Sequence, residues 1–217
     1  MKFKVLKNPK TDNYRKFKFL VLSREFPWFY YENIYHKNRG QSKDSASELV
    51  SHAEQTRHQI KELGLDPRII PNKNDVSDYR DSPFFSHSFL IRPTPEKKYP
   101  SVDSAFLGAF EKVLYEIVDY NNIKINCIFR INANLLYPSK GKQKTLPHID
   151  HTWEHKMILI YLTDAGGETI CVDDKLREKL IHDPSEDGVV EFDTNCRLHY
   201  CKLPKKDRRI IIVVTYI

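Results

Sequence analysis

The segment RIIIVVTYI, from Arg209 to Ile217, is apolar on both faces that an extended strand would present. A strand with one solvated face alternates apolar and polar residues, whereas a strand covered on both sides is apolar throughout. Shorter β-rich runs precede it at residues 123–136, 156–162, 168–172 and 189–192. The sequence therefore predicts that residues 123–217 are all-β and that the last strand is covered on both faces.

Two helices are predicted in the first half of the chain. The earlier one begins at a capping box formed by Ser45 and Glu48 and ends at Gly64. The later one begins near Ser101 or Ser104. It carries an apolar stripe at helical spacing, which is typical of a helix packed on a core: Phe106, Phe110, Val113 and Ile117.

The remaining segments of the first half predict strands and loops. Residues 2–7 and 16–22 alternate lysine with apolar residues, which predicts two strands that pair as a hairpin across residues 8–14. Residues 66–100 are rich in proline and show no sustained period, which predicts an ordered loop or a mobile flap. We predict one domain, 1–217, in which an α/β support region, 1–122, packs on the β-rich region, 123–217.

Composition excludes several classes of protein. Of the 217 residues, 40% are hydrophobic, which is enough to build a core and argues against disorder. The longest apolar runs, such as residues 157–162, are far shorter than the roughly 20 residues that span a bilayer, so no membrane association is expected. Lysines interrupt the N-terminal segment, which is unlike a secretory signal, and a cytoplasmic location is the default expectation.

The cysteines give no sign of a zinc ribbon or a disulfide framework, because no two are spaced as C-x-x-C. We interpret all four as buried or reduced thiols: Cys127, Cys171, Cys196 and Cys201.

The basic character of the chain is confined to its N-terminal segment. Residues 1–25 hold eight Lys or Arg and two acidic residues, which accounts for the whole net charge of +6. Such a segment is either a solvated edge strand protected from pairing or a patch that attracts a polyanion. The sequence leaves both interpretations open.

A candidate metal site lies in LPHID, residues 146–150. On an extended backbone, residues i and i+2 point to the same side, so His148 and Asp150 could hold one metal ion. The H-x-D spacing alone is a weak signal, but His199 follows, with Arg209 ten residues beyond it. Two histidines and one carboxylate form the facial triad of non-haem Fe(II) oxygenases.

Four motifs taken in order strengthen this interpretation: PHID at 147–150, YLTDAGGET at 161–169, PSEDGVVEFDTNCRLH at 184–199 and RRIIIVVTYI at 208–217. Together they resemble the 2-oxoglutarate/Fe(II)-dependent oxygenase superfamily, specifically its prolyl-hydroxylase-like branch of phage and bacterial proteins. The resemblance covers about residues 123–217. It implies a β-rich α+β fold with a double-stranded β-helix core (a cupin-like jelly roll) and supporting N-terminal helices and strands.

The resemblance also implies roles for individual residues. His148, Asp150 and His199 would bind Fe(II), and Arg209 would hold the distal carboxylate of 2-oxoglutarate, the co-substrate. Arg208 competes for this role, because only one of two neighbouring residues on a strand can face the barrel interior. Tyr161 matches a family phenol that bonds the same carboxylate, although it could be a core tyrosine.

Further residues are candidates with less support. Asn134 precedes the metal loop and could reach the co-substrate or substrate, or serve only to bond the backbone. The sequence HTWEH at 151–155 matches an inverted zinc-protease signature, but that signature needs a helix, and its residues are mediocre helix formers followed by a strand. We favour a position for His151, Trp153 or His155 near the substrate, at the mouth of the barrel.

The expected activity is that of a non-haem dioxygenase. It would use Fe(II), 2-oxoglutarate and O₂ to hydroxylate a substrate, preferably a peptidyl side chain, and would release succinate and CO₂. A nucleobase or nucleotide substrate and a non-catalytic jelly-roll binding protein are the alternatives. The partner would be a protein, peptide or nucleotide, and the location the cytoplasm, or that of the host if a phage encodes the chain.

Overall fold

The structure, a computed structural model, describes residues 3–31, 56–70, 84–94, 97–138, 144–192 and 198–217. Strands dominate this part of the chain. In order along the chain they are β1 (Phe3–Leu6), β2 (Phe29–Tyr31), β3 (Phe84–Ile91), β4 (Ser101–Val102), β5 (Ile128–Leu136), β6 (Lys156–Tyr161), β7 (Thr169–Val172), β8 (Glu178–His182), β9 (Val189–Phe192), β10 (His199–Cys201) and β11 (Arg209–Tyr216).

The strands form two antiparallel sheets. The larger sheet has the order β1-β9-β6-β11-β5-β3-β2, with β4 beside β3, and the smaller has the order β10-β7-β8. Side chains of both sheets meet in one buried cluster, to which Cys171 of the smaller sheet and Leu159 and Ile211 of the larger contribute. Two facing sheets connected by crossovers form a jelly roll. The predicted β-rich, double-stranded β-helix fold is therefore confirmed.

Two helices cover the outer face of the larger sheet, namely α1 (Asp12–Leu22) and α2 (Leu107–Tyr120). Alternate residues of β11 face them: Ile210 and Ile212 pack in the cluster under the helices, whereas Ile211 and Val213 pack between the sheets. Every residue of β11 is buried. The prediction that this strand is covered on both faces is confirmed.

The predicted N-terminal hairpin is wrong. Residues 3–6 do form a strand, but it pairs with β9, and residues 16–22 belong to helix α1. Thr11 caps this helix by accepting a hydrogen bond from the backbone N–H of Tyr14 at 3.2 Å. Tyr14, Phe17 and Val21 are buried at helical spacing. Residues 16–22 fit both the two-residue period of a strand and the 3.6-residue period of a helix. Burial of the helical stripe against the core favours the helix.

The prediction of a loop or flap over residues 66–100 is also wrong at its centre. Phe84–Ile91 forms β3, which lies between β2 and β5 in the larger sheet. Phe89 of this strand is fully buried in the core. Residues 71–83 and 95–96 of the predicted flap lie outside the described residues. Prolines on both sides of β3 obscured a run of only eight residues.

The predicted helices fare better. The later one is confirmed as α2, with Phe106 at its N-cap and Phe110, Val113 and Ile117 buried. The earlier one is described only at residues 56–62, which are helical, and its capping box lies outside the described residues. No helix in the described ranges is long and apolar enough to cross a membrane.

The cysteines differ from the prediction at one position. Cys127 and Cys201 are free, but Cys171 is disulfide-bonded. Cys196 lies outside the described residues. The cytoplasmic location stays a prediction.

Part of the basic N-terminal charge is compensated within the fold. Nζ of Lys18 lies 2.6 Å from Oδ1 of Asp187, Nζ of Lys10 lies 3.0 Å from Oδ2 of the same residue, and Nζ of Lys4 lies 3.3 Å from Oε2 of Glu191. These ion pairs join the N-terminal segment to the loop before β9 and to β9 itself. They reduce the charge available to a polyanion.

Candidate metal centre and co-substrate pocket

Backbone pairing sets the two candidate histidine ligands opposite each other. The N–H of His148 donates to the carbonyl of His199, and the N–H of His199 donates to the carbonyl of His148, both at 3.0 Å. This isolated antiparallel bridge brings the imidazole centroids to 4.5 Å. The rigid edge of the smaller sheet, where His199 begins β10, therefore positions both rings.

Asp150 completes the group. Ligand atoms of His148, Asp150 and His199 all lie within 4.8 Å of one another. Asp150 is buried, and its Oδ2 lies 3.5 Å from Nε2 of His199. Its Oδ1 accepts a hydrogen bond from Nη2 of Arg130 at 2.5 Å. One carboxylate oxygen is thereby directed at the histidines while the other is held by the guanidinium.

The donor set fits a divalent transition-metal ion. Nδ1 of His148 lies 3.0 Å from the carbonyl oxygen of Leu146, and a carbonyl can only accept, so Nδ1 carries the proton. This tautomer leaves the lone pair on Nε2, the form of imidazole that coordinates metals. Two imidazoles and one carboxylate oxygen on one side suit Fe(II) and leave coordination positions open.

The carboxylate is ionised in this setting. Burial alone would raise the pKa of Asp150, but the charge of the adjacent Arg130 guanidinium holds it well below its usual range. His151 is held in its uncharged form, because burial and the charge of Arg130 lower its pKa to about 3. Asp150 is therefore available as an anionic ligand, and His151 is neutral.

A cavity of about 520 Å³, including its open mouth, extends from the candidate ligands between the two sheets. Arg209 is opposite Leu136, the last residue of β5, whereas Arg130 is opposite Thr215, near the end of β11. The two arginines therefore lie at opposite ends of the cavity, with the buried Arg209 at the deep end. The lining residues are Arg130, Asn134, His148, Asp150, Met157, Leu159, Thr169, Phe192, His199, Tyr200, Cys201, Arg209, Ile211 and Val213.

Arg209 is a buried cation in this cavity, with only 3% of its surface exposed. Its Nε donates to the carbonyl of Gly167 at 3.0 Å, and its Nη2 donates to Oγ1 of Thr169 at 3.1 Å. Both of these acceptors are uncharged. A buried guanidinium with neutral partners is suited to bind a carboxylate that enters the cavity.

The neighbouring Arg208 faces the other way. Its Nη2 donates to the carbonyl of Leu22, the last residue of helix α1, at 3.3 Å. The structure thus places Arg209, and not Arg208, among the residues that line the cavity. The binding role of Arg209 stays a prediction.

The other two candidates lie at different depths. Asn134 lines the cavity, and its Oδ1 accepts from Nδ2 of Asn132 at 2.6 Å and from Oγ of Ser86 at 3.1 Å. Tyr161 is fully buried one layer behind the lining: its hydroxyl is 2.9 Å from Oγ1 of Thr169, and its ring centroid is 5.4 Å from Cζ of Arg209. Tyr161 is placed to support Thr169 and Arg209.

Several residues of the site escaped the sequence reasoning. Arg130, Asn132 and Asn134 alternate along β5, so the period-2 rule applied from Asn134 would have pointed to Arg130 as well. Gly167 has a φ of +87°, and a Cβ there would meet Cδ of Arg209 at 2.9 Å. Thr169 gave no signal, because its contact with Arg209 joins strands 40 residues apart in sequence.

The residues of the HTWEH segment are not helical and follow Asp150 directly in the chain. Their position near a substrate stays a prediction. His151 stacks on Trp153 with ring centroids 4.5 Å apart, and its Nε2 lies 2.9 Å from Oγ1 of Thr215. Nη1 of Arg92 donates to the backbone carbonyl of Asp150 at 2.7 Å.

The fold and site together define a double-stranded β-helix protein with a two-histidine, one-carboxylate group facing an interior cavity. No protein-family model and no curated protein sequence matches the chain. Solved structures similar to it include an oxidoreductase of the 2OG-Fe(II) oxygenase family from Burkholderia pseudomallei, at 14% identity, a TM-score of 0.48 and coverage of 84% of this chain and 92% of that one.

Two further structures show the range of similarity. A prolyl-4-hydroxylase from Pseudomonas putida has 14% identity and a TM-score of 0.35, with 87% of this chain and 91% of that chain covered. A cupin domain from Bordetella pertussis has 8% identity and a TM-score of 0.32, with 44% of this chain and 86% of that chain covered.

Proposed function

We propose that the protein is an Fe(II)- and 2-oxoglutarate-dependent dioxygenase that hydroxylates a side chain of a peptide or protein. One observation carries the proposal: His148, Asp150 and His199 converge on a cavity whose deep end is a buried arginine, Arg209. A metal-binding jelly roll has no need of a buried cation beside its metal. A co-substrate that is a dicarboxylate needs both.

The spacing of the two features suits 2-oxoglutarate. Thr169, which accepts from Arg209, is opposite Cys201 in the smaller sheet, and Cys201 is two residues from His199. Two residues of strand span about 7 Å, a length that a five-carbon diacid can bridge. One end of the molecule would then lie at the metal ligands and the other at the guanidinium.

Each residue has a defined task in this proposal. His148, Asp150 and His199 would hold Fe(II), which together with 2-oxoglutarate and O₂ supplies the oxidation of a C–H bond and the release of succinate and CO₂. Arg209 grips the distal carboxylate, and Thr169 orients the guanidinium. The apolar residues Leu159, Ile211 and Val213 exclude water from the space between.

The direct test is conversion of 2-oxoglutarate to succinate by the purified protein, with and without Fe(II). We expect iron-dependent turnover that is abolished in Asp150→Ala and retained in Asp173→Ala, since Asp173 lies in the turn before β8 and pairs with Arg177. Mn(II) and 2-oxoglutarate titrations under anaerobic conditions report binding separately. Metal binding without 2-oxoglutarate binding would overturn the assignment in favour of a metal-binding jelly roll.

Substrate choice is part of the same proposal. A peptidyl side chain is preferred, and a nucleobase or nucleotide is the competing substrate. Stimulation of succinate formation by peptides would support the first, whereas salt-sensitive stimulation by DNA or RNA would support the second and would involve the basic N-terminal segment.

A further inference from the structure

An irregularity in the sheet shapes the mouth of the cavity. In the pairing of β11 with β5, Thr215 is opposite Arg130, but the next residue, Tyr216, is opposite Ile128. Phe129 is therefore an extra residue, a β-bulge. Bulges re-aim side chains and recur beside active sites. Here the bulge sets Phe129, whose ring contacts those of His151 and Trp153, next to Arg130, which lines the cavity.

Two guanidinium groups meet at Asp150. Arg130 contacts the side chain through Nη2, and Arg92 contacts the backbone carbonyl through Nη1. Within the described residues, Nε of Arg130 is buried and has no hydrogen-bond partner. A buried donor without an acceptor costs about 1 to 3 kcal/mol, so an acceptor supplied by a ligand would be bound favourably.

The charge of the residues around Asp150 also favours an anionic ligand. Asp150 is the acidic partner of Arg130, and Arg92 bonds only a neutral carbonyl in the described contacts. If Asp150 also serves a metal ion, as the proposed function requires, the mouth keeps an excess of positive charge. Paired guanidinium groups bind carboxylates and phosphates through charge-assisted hydrogen bonds.

We propose that the substrate carries an anionic group, a carboxylate or a phosphate, which Arg92 and Arg130 bind at the mouth of the cavity. The inference rests on the proposed function, because it identifies this end of the cavity as the substrate side. Arg209 binds the co-substrate at the opposite end, so the two anions do not compete.

An aromatic wall stands beside the two arginines. Trp153 is 43% exposed, stacks on His151, and meets the extra residue Phe129 at a centroid distance of 5.8 Å. An exposed tryptophan face supported in this way is suited to the apolar or planar part of a ligand. The wall and the cations together describe a substrate with an acidic group next to an apolar body.

The experiment uses Trp153 as its own reporter. The chain has two tryptophans, and Trp28 packs against the core under the helices, so Trp28→Phe leaves a single fluorophore at the mouth. In this background, with Mn(II) and saturating 2-oxoglutarate, the probes are phenylacetate, phenyl phosphate and neutral phenylacetamide. We expect one of the acids to bind at least about 10-fold more tightly than the amide.

The matched variants are Arg92→Gln and, as control, Arg24→Gln on the exposed turn after α1. Arg92→Gln should weaken acid binding about 10-fold or more, whereas Arg24→Gln should not change it. Mn(II) binding by both variants is measured in parallel and detects any displacement of Asp150, whose backbone carbonyl Arg92 contacts. Tighter binding of phenyl phosphate assigns the site to phosphates, and tighter binding of phenylacetate assigns it to carboxylates.

Two results would overturn the inference: equal binding of acids and amide, or acid binding that does not depend on Arg92. Failure of the dioxygenase proposal has a separate signature, since wild-type protein would then fail to bind 2-oxoglutarate with Mn(II). Probe binding is also measured without 2-oxoglutarate, so that an Arg92-dependent anion site remains detectable in that case.

Discussion

Nη2 of Arg130 lies 2.5 Å from Oδ1 of Asp150, and Oδ2 of the same carboxylate lies 3.5 Å from Nε2 of His199. The arginine therefore occupies one oxygen and turns the other toward the candidate metal position. Arg130 is on β5 in the larger sheet, and His199 is on β10 in the smaller. Asp150 thus connects the two sheets through its two oxygens.

The first expectation is that Arg130 positions the metal ligand. Arg130→Met keeps the length of the side chain but leaves Oδ1 of Asp150 without this donor. Loss of such an outer partner weakens metal affinity by about 10- to 100-fold. Electron paramagnetic resonance of free Mn(II) during a titration measures the change.

The matched control for this variant is Arg177→Met, which removes an arginine that pairs with Asp173 on the surface. Circular dichroism of both variants establishes that the sheets are intact. Unchanged Mn(II) affinity in folded Arg130→Met would show that Asp150 needs no orienting partner.

A second expectation distinguishes Arg209, the first residue of β11, from Arg208, the residue before it. Arg209→Ala removes a buried charge-assisted contact and should weaken 2-oxoglutarate binding by about 2 to 5 kcal/mol, roughly 30-fold or more. Among the described contacts, Arg208→Ala removes only the hydrogen bond to the carbonyl of Leu22, and it should leave 2-oxoglutarate affinity within about 2-fold of wild type. Anaerobic calorimetry with Mn(II) present compares them, and an equal loss in both would contradict the placement.

Periodicity predicted the elements whose buried residues recur at a single period. Both faces of β11 were correctly predicted to be covered, and the stripe of α2 was correctly predicted to be helical. In residues 16–22, by contrast, lysine alternation coexists with a helical stripe of Phe17 and Val21. Only packing against the core decides between a strand and a helix in this segment, so the local sequence pattern could not predict which one forms.

Local sequence rules predict some residues of the candidate site and miss others. His148 and Asp150 are two residues apart, so strand geometry alone places them together. Arg92 reaches Asp150 across 58 residues of sequence, and no local rule links them. The bulge that admits Phe129 arises from a register shift between paired strands, which a single strand's pattern does not encode.

A third expectation concerns Gly167, whose φ of +87° suits glycine. A Cβ at this position would meet the carbonyl oxygen of Lys202 at 2.7 Å and Cδ of Arg209 at 2.9 Å. Gly167→Ala should lower the free energy of unfolding by about 1 to 3 kcal/mol through backbone strain. It should also weaken 2-oxoglutarate binding, because Arg209 must move.

Gly108 provides the control for this substitution. It lies in α2, and a Cβ there would meet nothing within 4 Å. Gly108→Ala should raise stability by about 0.5 to 1 kcal/mol through helix propensity and leave ligand binding unchanged. Urea unfolding and calorimetry measure both effects. Normal 2-oxoglutarate affinity in Gly167→Ala would show that Arg209 does not depend on this close approach.

The last expectation concerns acid sensitivity, which Asp187 should contribute far from the metal ligands. Oδ1 of Asp187 accepts from the hydroxyl of Tyr14 at 2.7 Å and from Nζ of Lys18 at 2.6 Å. Burial would raise the pKa of Asp187, but the hydrogen bonds from Lys18, Tyr14 and Lys10 outweigh it and lower the pKa. The ionised form is therefore stabilised in the folded protein.

Because the folded-state pKa is the lower one, the stability that ionised Asp187 contributes is present above the unfolded pKa of about 4 and is lost as the pH falls through the folded value.

Asp187→Asn suits the test, since asparagine tolerates the residue's φ of +63°. At pH 7 the free energy of unfolding of the variant should be about 1 to 3 kcal/mol lower than that of wild type. The gap should narrow as the pH falls below the unfolded pKa of about 4 and through the lower folded-state pKa of wild-type Asp187. Urea unfolding at pH 7 and at a series of lower pH values measures it, with Asp119→Asn on the exposed surface of α2 as control. A gap that stays constant with pH would assign the loss to altered hydrogen bonding and not to charge.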